Sequence, residues 1–317
     1  MHIHNMNIKN FEIPILFLVF NRPKSTYKVF QKIKEIKPQK LYVASDGPRN
    51  IQNENKIVNQ VRDIATNITW DCNLNTLFRN QNLGCKNAVS SAIDWFFKNE
   101  DKGIILEDDC LPNNDFFYFC EKLLFKYEND SRIYMITGQN FQDGKIRGSE
   151  SYYFSGYAHI WGWASWRRVW NSYDKTMSFW PSWSISKDWK EKFPDLLERI
   201  YWKRIFDKVH SNLIDTWDYQ LFALLKKNRG ICITPNVNLI SNIGFDMNAT
   251  HTKNKDHKNA NLPTYEIPKI NHPESINIDL EADYYEFKNH HISNKKKYLF
   301  FINSFINFFK RMFKINF

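Results

Sequence analysis

Short apolar runs alternate with amphipathic stretches along the first 140 residues. Ile13–Phe20, Leu41–Ser45, Thr76–Phe78, Gly103–Leu106 and Ile133–Thr137 have the length and composition of strands. Between them, Thr26–Ile36, Ile51–Ala65 and Ala88–Lys98 place their apolar residues at helical spacing. After the fourth strand, Asn113, Asn114 and Asp115 offer helix caps. Phe116, Phe119, Cys120, Leu123, Leu124 and Tyr127 then follow on one helical face. This β-α-β-α order predicts an α/β fold: a mainly parallel sheet covered by helices. From residue 150 to 235 the strand alternation is lost, and eight of the 11 tryptophans fall between Trp161 and Trp202. Ile231–Ile240 reads as a returning strand. Residues 250–290 read as a polar, loop-rich extension.

Composition narrows the class. The chain has 317 residues, 43% of them hydrophobic and 16% aromatic, with 10 glycines and 11 prolines. It is therefore neither disordered nor low-complexity, and it is long enough to bury a large core without staples. The formal charge of +10 first suggests a nucleic-acid partner, but its distribution argues against one. Six basic residues and no acid lie in the last 24 positions, which leaves +4 for the rest. That balance favours small anionic ligands and does not call for a polymer. Five scattered cysteines form no CxxC pair, so they read as reduced intracellular thiols. The N-terminal apolar run is too short for a membrane span and lacks a basic leader.

In open parallel sheets, ligands bind beyond the carboxyl ends of the strands. The polar residues at those ends are Asn21-Arg22-Pro23, Ser45-Asp46-Gly47-Pro48-Arg49, Arg79 with Asn82-Leu83-Gly84-Cys85-Lys86 after it, and Glu107-Asp108-Asp109. Charges of both signs converge on one rim. The acid triplet carries the strongest signal, because three carboxylates at a buried strand end repel one another unless a cation relieves them. Hard oxygen donors suit Mg2+ or Mn2+, and either ion in turn holds a diphosphate. As ordinary structure, the same acids would be a solvated turn capping the next helix. Arg22 and Asp46 could likewise be simple turn residues.

Asp218 lies between Trp217 and Tyr219 at the start of an amphipathic stretch, with Asp215 better placed as that helix's cap. An acid held between two aromatics suits a general base better than a helix surface. The tryptophan cluster supplies core, but Trp161, Trp163 and Trp166 are denser than packing requires. Their flat faces match the apolar faces of sugar rings, so one or two of the three are read as a sugar-binding wall, which would face the acceptor if the chain transfers sugars. In the last 23 residues, Phe301, Phe305, Phe308, Phe309, Met312 and Phe313 recur at helical spacing beside Lys295, Lys296 and Lys297. That pattern predicts a helix lying in an anionic membrane interface, and a cytoplasmic protein peripheral on the inner face of the membrane.

The run GIILEDDCLPNNDFFYFCEKLL resembles the metal-binding segment of GT-A-fold glycosyltransferases, and is most similar to the N-acetylglucosaminyltransferase I type. ILFLVFNRPKSTYKVFQKI, LYVASDG, YAHIWGWASWRRVW, TWDYQL and GFDMNATHT resemble further segments of that family, in the same order, so the resemblance spans roughly residues 13–252. It implies a GT-A fold with a donor half (1–140), an acceptor and catalytic half (141–252), a polar extension (253–294) and a basic amphipathic tail (295–317). Arg22 and Asp46 then match donor-nucleotide contacts, with Asp46 on the base. Lys86 falls near another such contact, where the family has a histidine. Glu107 would face the donor sugar, Asp108 the ribose, and Asp109 the metal. Asp218 matches the general base. His251 falls in the closing loop, toward the diphosphate and metal, while His257, His272, His290 and His291 read as surface residues.

The implied activity is transfer of a hexosyl or N-acetylhexosaminyl group from a nucleotide-diphosphate sugar, most simply a UDP-sugar, to a glycan or glycolipid hydroxyl, with inversion, in polysaccharide biosynthesis. Two alternatives stay open. A sugar-1-phosphate nucleotidyltransferase would need a Gly-rich loop after the first strand, which Asn21-Arg22-Pro23-Lys24 is not. A membrane-attached carbohydrate-binding protein without catalysis would have no need of the acid triplet.

Overall fold

The computed structural model describes residues 11–245 and 258–292. His251 and the tail 295–317 lie outside the described residues, as does most of the GFDMNATHT segment. Ten strands are present among those described: β1 (Ile15–Val19), β2 (Lys40–Ser45), β3 (Asn73–Phe78), β4 (Lys102–Glu107), β5 (Cys110–Pro112), β6 (Ile133–Thr137), β7 (Tyr152–Ser155), β8 (Trp163–Trp166), β9 (Ile231–Pro235) and β10 (Ile240–Asn242). Eight of them form one sheet in the order β3-β2-β1-β4-β8-β6-β9-β7. β8 and β7 run against the other six, so the sheet is mainly parallel, in a Rossmann-like α/β arrangement.

Helices cover this sheet. They are α1 (Pro23–Ile36), α2 (Glu54–Ala65), α3 (Gly84–Asn99), α4 (Asn114–Lys126), the short α5 (Arg167–Trp170), α6 (Trp180–Trp183) and α7 (Lys187–Lys192), then α8 (Leu196–His210), α9 (Asp218–Asn228) and α10 (Leu280–Glu286). All five residues of β1 are buried, as expected of a central strand covered on both faces. α1 buries Thr26, Val29, Phe30 and Ile33, a single stripe. Pro23 opens that helix, and the proline keeps Arg22 out of the helical region, so the chain turns sharply at the end of β1. Asn113 caps α4, accepting the Phe116 amide at 3.0 Å.

Three expectations change. The tryptophan-rich region is not strand-free, since Trp163–Trp166 is β8, hydrogen-bonded between β4 and β6 at the middle of the sheet. Four residues buried on both faces leave no alternation to read. Ile231–Ile240 is not one strand: β9 ends at Pro235, which cannot donate to a ladder, and β10 pairs instead with β5 in a second, two-stranded sheet. The polar extension ends in α10 and a π-helical turn over Phe287–His291, where Asp283, Glu286 and Phe287 are buried.

Candidate functional site

Strand order reverses between β1 and β4, so the crevice beyond their carboxyl ends is the fold's switch point, where open α/β sheets take ligands. A cavity of about 250 Å³ lies there. It is lined by Phe20 and Arg22 after β1, Asp46 and Arg49 after β2, Arg79 and Gly84 after β3, and Glu107 and Asp108 at the end of β4.

Its rim is stitched together by long-range polar contacts. Asp46 accepts the backbone amides of Gly47 at 2.8 Å and Leu83 at 3.0 Å, while Asn82 donates to the Gly47 carbonyl at 2.9 Å. Gly47 is required by this approach, because a Cβ there would lie 2.5 Å from the Gln81 amide nitrogen. Burial pushes the Asp46 carboxyl up, and the backbone amides of Leu83 and Gly47 pull it back. On the other side, Glu54 binds Arg49 and accepts Asn21 at 2.8 Å, joining the β1 and β2 loops.

At the acid triplet, Arg22 serves as counter-ion, 3.3 Å from Asp108 and 2.5 Å from Asp109. Burial works against the charge on Arg22, but Asp108, Asp109 and Glu107 more than offset it and hold its pKa above the ordinary value. Asp108 also accepts the Phe20 amide at 3.1 Å; burial pushes its carboxyl up to about 6 against the pull of Arg22. Burial, and then the charges of Asp109 and Asp108, push Glu107 well above the carboxylate range, and Asp218 adds to the rise. One oxygen of Glu107 is buried without a partner.

The β5–β10 pairing brings the chain after Asn242 against Asp109, whose carbonyl accepts the Ile243 amide at 2.8 Å. Gly244 abuts the Asp109 side chain so closely that a Cβ would sit 2.7 Å from Asp109 Cβ. Among the described residues no group of three or more His, Cys, Asp or Glu side chains converges as a protein-only metal cage. A hard cation bound mainly by a diphosphate needs only one or two carboxylates. Three carboxylates face one guanidinium here, and the unpartnered Glu107 oxygen leaves donor capacity for one further cation.

The remaining sequence-predicted residues divide between several settings. Lys86 does not line the cavity; its ammonium donates to Asn212 at 2.8 Å. Asp215 does not cap α9. It accepts the amides of Cys85 and Lys86, both at 3.0 Å, and so caps α3 from 130 residues away. Asp218 is the first residue of α9, half-buried, and takes a hydrogen bond from the Thr216 hydroxyl. It lines a second cavity of about 260 Å³ with Gln139, Phe141, His159, Trp161 and Phe245.

Of the three acceptor-wall tryptophans, only Trp161 borders this cavity. Trp163 is 1% exposed and stacks on Trp217 at 5.8 Å; Trp166 is 3% exposed and donates its indole N–H to the Leu124 carbonyl. Both belong to β8 and to the core, so neither presents a face to a ligand. His290 and His291 are not free surface residues: His290 meets Asp143 at 3.1 Å, and His291 meets buried Glu286 at 3.3 Å. His159, which has no sequence signal of its own, lies 3.0 Å from the other Glu286 oxygen, at ion-pair distance but without hydrogen-bond alignment.

The chain is similar to several solved structures. A mannosyltransferase from Pyrobaculum calidifontis in complex with GDP-Man and Mn2+ shares 10% identity over 69% of this chain and 69% of that one, with a TM-score of 0.39. The glycosyltransferase GlyE of Streptococcus pneumoniae shares 14% identity over 70% of this chain and 45% of that one, with a TM-score of 0.33. A cytidylyltransferase from Leptospira borgpetersenii shares 14% identity over 64% of this chain and 72% of that one, with a TM-score of 0.32. No protein-family model and no curated protein matches the chain. Likenesses this distant carry no functional conclusion.

Proposed function

We propose that the protein is a metal-dependent glycosyltransferase of GT-A type, moving a hexosyl or N-acetylhexosaminyl group from a nucleotide-diphosphate sugar, a UDP-sugar first, to a hydroxyl of a glycan or glycolipid. The supporting observation is the position of Asp218. It lines the second cavity and is near enough to Glu107, on the switch-point cavity, to raise that carboxyl. A carboxylate that lines the second cavity and acts electrostatically on Glu107 suits a base working at the boundary of donor and acceptor.

The acceptor hydroxyl oxygen forms a bond to the anomeric carbon, and the bond from that carbon to the diphosphate breaks with its electron pair leaving on the diphosphate. The hydroxyl proton passes to Asp218. Attack from the face opposite the diphosphate inverts the anomeric centre. Mn2+ or Mg2+ bound through Asp109 would supply charge neutralisation at the departing diphosphate. Arg22 holds Asp108 and Asp109 in place, and Arg49 and Arg79 give the donor cavity its positive walls. His251 is assigned to the same closing segment as Gly244, and the tail 295–317 to an anionic membrane surface. Among the described residues no helix is long and apolar enough to cross a membrane.

The test is a panel of UDP-, GDP- and dTDP-sugars incubated with Mn2+, with products resolved chromatographically. Release of nucleoside diphosphate with sugar transfer or sugar hydrolysis supports the reading. Pyrophosphate release from a nucleoside triphosphate and a sugar 1-phosphate would make the protein a nucleotidyltransferase. Absence of any nucleotide binding would leave a carbohydrate-binding protein.

A further inference from the structure

The second cavity contains a donor with nothing to bind. Gln139 is 2% exposed and follows β6 closely in sequence. Its Oε1 accepts the Trp161 amide at 3.1 Å, which fixes the orientation of the side chain. Its Nε2 is buried without a partner, and the residue lines the cavity. Buried amide donors are nearly always satisfied, so an unpaired one on a cavity wall implies that a ligand oxygen completes it. The flanking walls are aromatic: Trp161 meets Phe141 at 5.7 Å and Phe245 at 5.5 Å, both edge to face.

We propose that this cavity holds the acceptor's sugar ring, that the ring is a neutral one, and that Gln139 selects it by donating from Nε2 to a hydroxyl or ring oxygen. An apolar face against aromatic side chains and an oxygen-rich edge toward an amide describe a pyranose better than an aliphatic chain or a peptide. Neutrality follows from the charges. Among the described residues no lysine or arginine lines the cavity, whereas Asp218 does. His159 and His291 also line it, but each imidazole lies beside the buried Glu286 carboxylate, at 3.0 Å and 3.3 Å. A uronate or sialate carboxylate would therefore meet Asp218 with no lysine or arginine among the described lining residues to offset it. The inference rests on the proposed role of Asp218 as base.

The experiment uses the full chain and four probes: the 4-nitrophenyl β-glycosides of glucose, galactose, N-acetylglucosamine and glucuronic acid. Saturation-transfer NMR reads their binding to the wild type, Gln139→Glu and Gln139→Met, and UDP affinity with Mn2+ is measured on the same samples. Gln139→Glu keeps the acceptor for the Trp161 amide but removes the free donor. Gln139→Met removes both without placing a charge in the wall. At least one neutral glycoside should bind the wild type, the glucuronide should not, and both variants should weaken that binding about tenfold with UDP affinity unchanged. The proposal falls if no neutral glycoside binds, if the glucuronide binds equally well, or if both variants bind as the wild type does. Loss of UDP binding in the wild type would instead overturn the donor assignment, so the two failures are distinguishable.

Discussion

Asp215 joins the two ends of the site, and removing its carboxylate should weaken both. Leu83, the residue preceding α3, provides no side-chain cap, and Gly84 follows with a φ of +78°. The first amides of the helix are satisfied instead by Asp215, through Cys85 and Lys86 at 3.0 Å each. Loss of a side-chain cap costs roughly 0.5–2 kcal/mol, and loss of a negative charge at a helix N-terminus a further 0.3–1 kcal/mol or so. Asp215 is exposed, which argues for the lower part of these ranges, so Asp215→Ala should cost about 1.5 kcal/mol. In a chain of this size that lowers the melting temperature by about 2 °C. Asp215→Asn keeps an oxygen for one amide and should lose about half as much. Because Asp218 follows three residues later and Asp215 itself lines the donor cavity, both variants should also lower turnover and weaken nucleotide affinity. Urea denaturation at fixed pH, with kcat and KM for the donor measured in parallel, checks this. A loss below about 0.3 kcal/mol in Asp215→Ala, with turnover intact, would refute the bridging role.

Further predictions follow from the buried charges and the close approaches. Burial alone would raise the Glu286 carboxyl, but His159 and His291 reverse this and hold it at about 2. A depressed acid stabilises the fold above its unfolded pKa of about 4.5 and loses that contribution as pH falls through about 2; at roughly 1.4 kcal/mol per pH unit, the contribution is about 3 kcal/mol. The stability gap between wild type and Glu286→Gln should therefore narrow as pH falls below 4.5, and a constant gap in urea titrations from pH 3 to 7 would contradict the pairing. Gly244→Ala should cost about 1–3 kcal/mol and weaken divalent-cation binding, because its Cβ would drive into Asp109. Isothermal titration with Mn2+ alone reads the second effect. Removing residues 295–317 should abolish sedimentation with anionic vesicles at low salt while leaving activity on soluble acceptors; a truncated protein that unfolds would place the tail in the core.

How much of this could be read from the chain depends on whether a feature is local. β1, β2, β4 and β6 are continuous apolar runs, and α4 carries its own cap at Asn113, so these elements are visible in sequence. The acids ending β4 stand out because they interrupt such a run. β8 could not be found that way, since a Trp-Ala-Ser-Trp strand buried on both faces shows neither period nor length. Asp215 on the α3 amides, Arg22 between Asp108 and Asp109, and Glu286 with His159 all pair residues far apart in the chain, with no local signature at either end. Gln139 is of the same kind: nothing in Gly138-Gln139-Asn140 distinguishes it, and only the fold reveals that its amide lacks a partner.

The central claim is that Asp109 and Asp218 do different work on one donor, and a single paired measurement tests it. Donor affinity with Mn2+ and steady-state turnover are determined for the wild type, Asp109→Asn and Asp218→Asn. Asp218→Asn should keep donor affinity and lose about 10²–10⁴-fold in turnover, as expected when a general base is removed. Asp109→Asn should lose the Mn2+ dependence of donor binding together with turnover. Full activity in Asp109→Asn with unchanged Mn2+ dependence, or collapse of donor binding in Asp218→Asn, would contradict it.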